Sequence, residues 1–157
     1  MKNLISKIWP WAVLVLLTGV LIYSNDSNTS LNVNLPVSHG VVARVIDGDT
    51  FDLSTGERVR LIGIDTPERS EAYYDEARSL LVEFVEGSEV ALAKDVSDKD
   101  QYGRLLRYVY VEDIFINNEM LLRGFARATP IEPDTLFARN FFEAQKQAEA
   151  KSLNIWE

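Results

Sequence analysis

The sequence predicts an α+β domain: a small closed or partly open barrel of five short strands, with helices inserted and appended, preceded by an N-terminal apolar targeting or anchor helix. Three observations predict it. Five short apolar segments, rich in β-branched residues, are each bounded by turn residues. A helix-period pattern interrupts them after the third segment and another closes the chain. Residues 1–23 are apolar and carry two lysines and no acid, and the composition then turns polar.

The N-terminal segment comes first. Lys2 and Lys7 precede an uncharged run from Ile8 to Tyr23, 16 residues long. A spanning helix needs roughly 20 apolar residues, and a signal-peptide core about 7–15. A cleaved signal and an uncleaved anchor through residues 8–23 therefore both fit, and either one carries the domain out of the cytoplasm, to be secreted or held at the membrane. The lysines before the run favour a cytoplasmic N-terminus. Residues 24–37 form a polar linker rich in Ser and Asn, and residues 38–157 the domain.

Within the domain, Gly40–Ile46 is the first strand and Asp47-Gly48 a hairpin turn. Thr50–Leu53 returns, and Ser54-Thr55-Gly56 turns again. Arg58–Ile64 is a third strand with apolar residues on both sides. Arg60 interrupts it, which is costly unless the guanidinium finds an anion. Pro67 holds Thr66 extended. A helix then runs from about Ser70, as N-cap, to Glu86, with Tyr73, Ala77, Leu80, Leu81 and Phe84 on one face. Glu89–Lys94 and Leu105–Val111 are the fourth and fifth strands, separated by a polar loop, and Ile114–Ile116 finishes a hairpin. Asn118–Arg123 is a short helix closed by Gly124, and 128–133 is loop. A last helix begins at Thr135 and ends near Lys151, with Phe137, Phe141, Ala144 and Ala148 on one face.

Composition narrows the chemistry. The 157 residues contain no cysteine and one histidine, His39. Disulfides, thiolate metal sites and zinc sites built on several imidazoles are excluded, as is a Ser-His hydrolase that does not use His39. Without residues 1–23 the chain has 14 basic and 24 acidic residues. A nucleic-acid binder usually carries a basic footprint. Any such substrate must be attracted at a local site, with a divalent cation helping.

One stretch supplies that site. Arg60, Asp65 and Glu68 fall within nine residues, Asp47 and Asp49 lie upstream, and Tyr102-Gly103-Arg104 follows downstream. Each residue alone has an ordinary reading as a turn former, a surface ion pair or a first-turn helix acid. Together, Asp49 and Asp65 offer hard oxygen ligands of the kind calcium or magnesium takes, with the carbonyl of Thr66 and waters completing the shell. Glu68 is close enough in sequence to accept a proton from an attacking water. Arg60 and Arg104 can each fork two hydrogen bonds onto a phosphate.

These residues stand in motifs that resemble the thermonuclease family, the staphylococcal-nuclease-like domain. The matching stretches are Val45-Ile46-Asp47-Gly48-Asp49-Thr50, Arg60-Leu61-Ile62-Gly63-Ile64-Asp65-Thr66-Pro67-Glu68, Asp100-Gln101-Tyr102-Gly103-Arg104 and Leu153-Asn154-Ile155-Trp156. They cover about residues 38–156 in order. The resemblance implies an OB-fold barrel with three helices and calcium-dependent cleavage of DNA or RNA, with calcium rather than magnesium as the cofactor. It also implies a metal held at Asp49, Asp65 and the carbonyl of Thr66. It places the general base at Glu68, phosphate-binding arginines at Arg60 and Arg104, and supporting substrate-binding residues at Asp47 and Tyr102. Two positions depart from the family's best-known member. Gln101 stands where that member has lysine, and 128–133 lacks two tyrosines against which a nucleotide packs. A catalytically silent barrel that binds nucleic acid or protein at the membrane is the alternative, and a structural module unrelated to nucleic acid a third reading. No protein partner is implied.

Overall fold

The computed structural model describes residues 35–157. The expected targeting segment and all but the end of the expected linker lie outside the described residues. Five strands make the barrel. β1 (Val37–Val45), β2 (Thr50–Leu53) and β3 (Arg58–Leu61) form an antiparallel meander, and β5 (Glu89–Ala93) and β6 (Leu105–Val111) follow after a helix. β5 pairs with β1 and with β6, both antiparallel. β3 closes the ring by pairing parallel to β6, Val59 opposite Leu105 and Leu61 opposite Arg107. β7 (Ile114–Phe115) extends β6 as a hairpin, and β4 (Ile64–Asp65) pairs with β8 (Arg127–Ala128) outside the barrel. The helices are α1 (Tyr74–Val85), α2 (Ile116–Leu122) and α3 (Ala138–Ala150). None among the described residues is long and apolar enough to cross a membrane.

Alternation explains the barrel wall. In β3, Val59 and Leu61 are buried while Arg58 and Arg60 face outward, as the two-residue period of a strand requires. Inside, Val42, Phe51, Val59, Leu61, Val90 and Val109 pack with under 2 % exposure. α1 closes one opening with Ala77, Leu80, Leu81 and Val85. An aromatic cluster holds α3: Tyr108 meets Phe137 edge-on at 4.6 Å between ring centroids, with Phe115 and Phe141 beside them. Tyr108 is fully buried, and its hydroxyl donates to Asp95 Oδ2 at 2.8 Å.

Several expected boundaries move. The last helix begins at Ala138 with Phe137 as its N-cap, not Thr135, Ile116 opens α2 and does not end the hairpin strand, and Ala128, expected in a loop, pairs with Ile64. β1 starts at Val37, not Gly40, because Val37 finds a partner in Ala93 across the sheet. The expected strand Arg58–Ile64 is broken. Gly63 has φ +75, and an added Cβ would stand 2.7 Å from the Phe141 ring, so the chain swings off the barrel there and only Ile64–Asp65 resumes pairing. α1 begins at Tyr74, not after Ser70. Glu68 and Glu71 close a turn on each other, through Glu71 N–H to Glu68 O and Glu68 N–H to Glu71 Oε2, both 2.8 Å. Tyr73 then stands in the left-handed region with φ 66, which a right-handed helix cannot continue through, so the helix starts after it. α2 runs 116–122 rather than 118–123.

Candidate active site

The β1–β2 turn places the first carboxylate. Ile46 and Asp47 N–H both donate to Thr50 O, and Asp49 N–H donates to Asp47 Oδ1 at 3.2 Å. Gly48 lets the turn sit against Thr66, since a Cβ there would come within 2.7 Å of Thr66 Oγ1. Asp49 is thereby buried. Its Oδ1 accepts from Thr50 Oγ1, and its Oδ2 accepts from both the N–H and the hydroxyl of Thr66, all at 3.0 Å.

Arg60 reaches out of β3 between two acids. Its Nη2 donates to Asp65 Oδ1 at 2.9 Å, and its Nη1 lies 2.5 Å from Asp49 Oδ2. Nη1 is buried and not aligned as a hydrogen bond there, so the contact is ionic. Burial pushes the Asp49 carboxyl up to about 6 against an ordinary 3.8. The Arg60 charge and the Thr66 donors oppose the shift, and the Asp47 charge adds to it. Asp49 thus carries buried negative charge that its protein partners do not fully offset.

Arg104 enters from the loop before β6. Asp100 builds that loop: its Oδ1 accepts from the N–H groups of Tyr102 and Arg104, and its Oδ2 accepts from Arg104 Nε at 2.6 Å. Burial works to raise the Asp100 carboxyl, but the Arg104 and Tyr102 hydrogen bonds leave it below its ordinary value. Asp100 orients Arg104 and was not among the expected site residues. An Asp four residues before the arginine, ahead of a Gly, was the available signal. Thr50, which donates to Asp49, carried no signal that sets it apart from any strand threonine.

The structure brings most of the expected residues together. Asp47, Asp49, Arg60, Asp65, Thr66, Pro67, Glu68 and Arg104 line one cavity of about 240 Å³. Asp65 and Glu68 are exposed on its rim, and Thr66 is buried. Tyr102 is not in this lining. It is 76 % exposed and lines two neighbouring cavities, one of which, about 490 Å³, shares Arg60, Asp65 and Arg104 with the cleft. The Arg104 guanidinium lies over the Tyr102 ring, 5.4 Å from its centroid, and the two residues line both neighbouring cavities together.

The donor chemistry fits a hard divalent cation. Every acidic donor at the cleft is a carboxylate oxygen, and the burial of Asp49 favours a neutralising positive charge. No three acidic or imidazole groups among the described residues converge as a preformed cage. The protein would supply two carboxylates, Asp49 and Asp65, and water would supply most of the remaining shell.

Fold and cleft define a class: a small closed barrel of OB type whose outer face joins carboxylates and guanidiniums in one cleft. The chain belongs to the family described as staphylococcal nuclease homologue, whose model matches residues 58–157. It is 39% identical over 126 residues to a thermonuclease of Staphylococcus intermedius, covering 74% of this chain and 75% of that one. It is 35% identical over 124 residues to a thermonuclease of Staphylococcus hyicus, covering 73% of each. It is 33% identical over 124 residues to endonuclease YncB of Bacillus subtilis (strain 168), covering 72% of this chain and 59% of that protein. Asp47 and Asp49 lie before the span the family model matches, so their place in the cleft rests on the geometry above.

Proposed function

We propose that this protein is a calcium-dependent nuclease that hydrolyses phosphodiester bonds of DNA, RNA or both. The observation that carries the reading is the single cavity lined by Asp49, Arg60, Asp65, Glu68 and Arg104. Family membership and the thermonuclease and endonuclease names of its relatives support it.

Asp49 and Asp65 would hold the cation, with Thr66 beside them. When bound, the cation polarises a phosphoryl oxygen and orients a water. Glu68, on the exposed rim, accepts the proton that the attacking water loses. In-line attack builds charge on the equatorial phosphate oxygens. Arg60 and Arg104 donate N–H groups to those oxygens and stabilise that charge. Both guanidiniums are already oriented, Arg60 by Asp49 and Asp65 and Arg104 by Asp100. Substrate phosphate therefore draws on donors that these carboxylates leave free.

Cleavage of single-stranded DNA and RNA should be followed with calcium and with chelator, on wild type and Glu68→Gln. Chelation should abolish turnover, and Glu68→Gln should lower kcat by about 10²–10⁴-fold. Turnover that survives both treatments sinks the reading. The same assay decides for a silent binding module, the reading favoured by the double engagement of Arg60 with its own acids. Strand binding under saturating calcium without any turnover would establish that alternative.

A further inference from the structure

Beyond the cleft, one residue from each of three neighbouring strands and one from the loop before β6 form a row across the outer face of the barrel. Arg44 on β1 stands opposite Asp52 on β2, and Asp52 stands opposite Arg58 on β3. The β3–β6 pairing begins one residue later, at Val59 and Leu105, so Arg104 follows Arg58 in the row. We infer that this row is a second phosphate-binding subsite, which holds the backbone of a single nucleic-acid strand beside the linkage being cut. The inference rests on the cleft being a phosphodiester site.

Geometry and charge carry it. Arg44 docks Nε and Nη2 on Asp52 Oδ2 at 3.0 and 2.9 Å, and Arg58 docks Nε and Nη2 on its two oxygens at 2.7 and 3.1 Å. A guanidinium is planar, so each arginine clamped by its Nε edge presents Nη1 donors away from the carboxylate. One carboxylate cannot neutralise two guanidiniums. With Arg104 matched to Asp100, the row keeps one net positive charge in a chain of net charge −8. The donors are accessible: the side chains of Arg44 and Arg58 are 66% and 45% exposed. Arg58 and Arg104 line a cavity of about 440 Å³ that also contains the exposed Tyr102. Arg104 lines the cleft as well, so the two cavities share a wall. Arg58 and Arg60 point the same way from β3, two residues and about 6.6 Å apart, close to one backbone repeat of an extended strand. A strand whose phosphate sits on Arg60 therefore has its neighbouring phosphate near Arg58.

The test is binding in a Glu68→Gln background with calcium, where hydrolysis is suppressed. A fluorescein-labelled oligothymidylate of about twelve nucleotides is titrated by anisotropy across a salt series. Thymidylyl-thymidine, which has one phosphate, is titrated by chemical shift. Arg58→Gln should lower the salt slope of the long strand by about 0.7, one phosphate contact, and weaken binding about fivefold at 0.1 M salt. Thymidylyl-thymidine should bind as before, and Arg58→Lys should restore the slope. An unchanged slope overturns the subsite, as does equal weakening of both ligands. If these binding effects appear but a chain with Glu68 intact does not cleave, the nuclease reading fails and the subsite stands. If that chain cleaves but Arg58→Gln changes nothing, only the subsite fails.

Discussion

Asn117→Ala should destabilise the domain by about 3 kcal/mol. Asn117 is fully buried in the first turn of α2. Its Oδ1 accepts from Val109 N–H on β6 at 2.9 Å, and its Nδ2 donates to Ile62 O at 2.9 Å and, more weakly, to Arg107 O at 3.4 Å. Alanine orphans the Val109 donor and the Ile62 acceptor. Arg107 O keeps a partner, Ile62 N–H, at 3.0 Å. Each orphaned buried group costs about 1–3 kcal/mol, so two cost about 2–6, and a water entering the vacated space returns part of that. Urea unfolding measures the effect. With a slope near 2 kcal/mol per molar, the midpoint should fall by about 1.5 M with the slope unchanged. A loss under about 1 kcal/mol would refute the reasoning, because it would mean that the two backbone groups find partners without the amide. The stakes reach the cleft, since Ile62 follows Arg60 and Leu61 and leads into the loop that carries Asp65 and Glu68.

Two further predictions concern that loop and the buried acid of the cleft. Gly63→Ala combines a left-handed backbone cost of about 1–2 kcal/mol with a clash against Phe141 of about 1–3 kcal/mol; a melting temperature lowered by less than about 5 °C would show that the turn relaxes more easily than its geometry implies. Asp49→Asn should differ from wild type in a pH-dependent way when a chelator is present. The folded carboxyl sits at about 6 against an ordinary 3.8, so the folded chain holds that proton more tightly than the unfolded chain. Wild type should therefore gain stability relative to Asp49→Asn as pH falls from about 6 to 4, with the difference flat above and below that window. A gain on raising the pH through the window would mean that Arg60 and Thr66, not burial, dominate at Asp49.

Much of the barrel could be read from the chain because the information is local. Alternation in 58–61 and the Asp47-Gly48 turn are visible in a few consecutive residues, and the apolar face of α3 recurs at fixed spacing. Arg60 was marked as a cation needing an anion, and the structure supplies two, Asp49 from the preceding turn and Asp65 from the following strand. What escaped is non-local or conformational. The break at Gly63 depends on a phenyl ring seventy-eight positions away in sequence, on α3. The late start of α1 depends on Tyr73 adopting a left-handed backbone, which its residue type does not announce. Tyr102 and Arg104 sit two apart around a glycine, and spacing alone does not say that only Arg104 would also reach the cleft. Asp100 and Asn117 act through hydrogen bonds to backbone, which leave no periodic mark.

The parallel contact between β3 and β6 has a consequence for timing. Arg60 lies within it and Arg104 just before it, so the two halves of the cleft meet only when positions 59 and 105, far apart along the chain, come together. Contacts of such long sequence separation form late and slowly. A nascent polypeptide emerging from the ribosome can build the β1–β2–β3 meander and still own no cleft, because the second guanidinium has not yet been synthesised. The cleft is therefore incomplete until about two-thirds of the chain has been made, since Arg104 is residue 104 of 157.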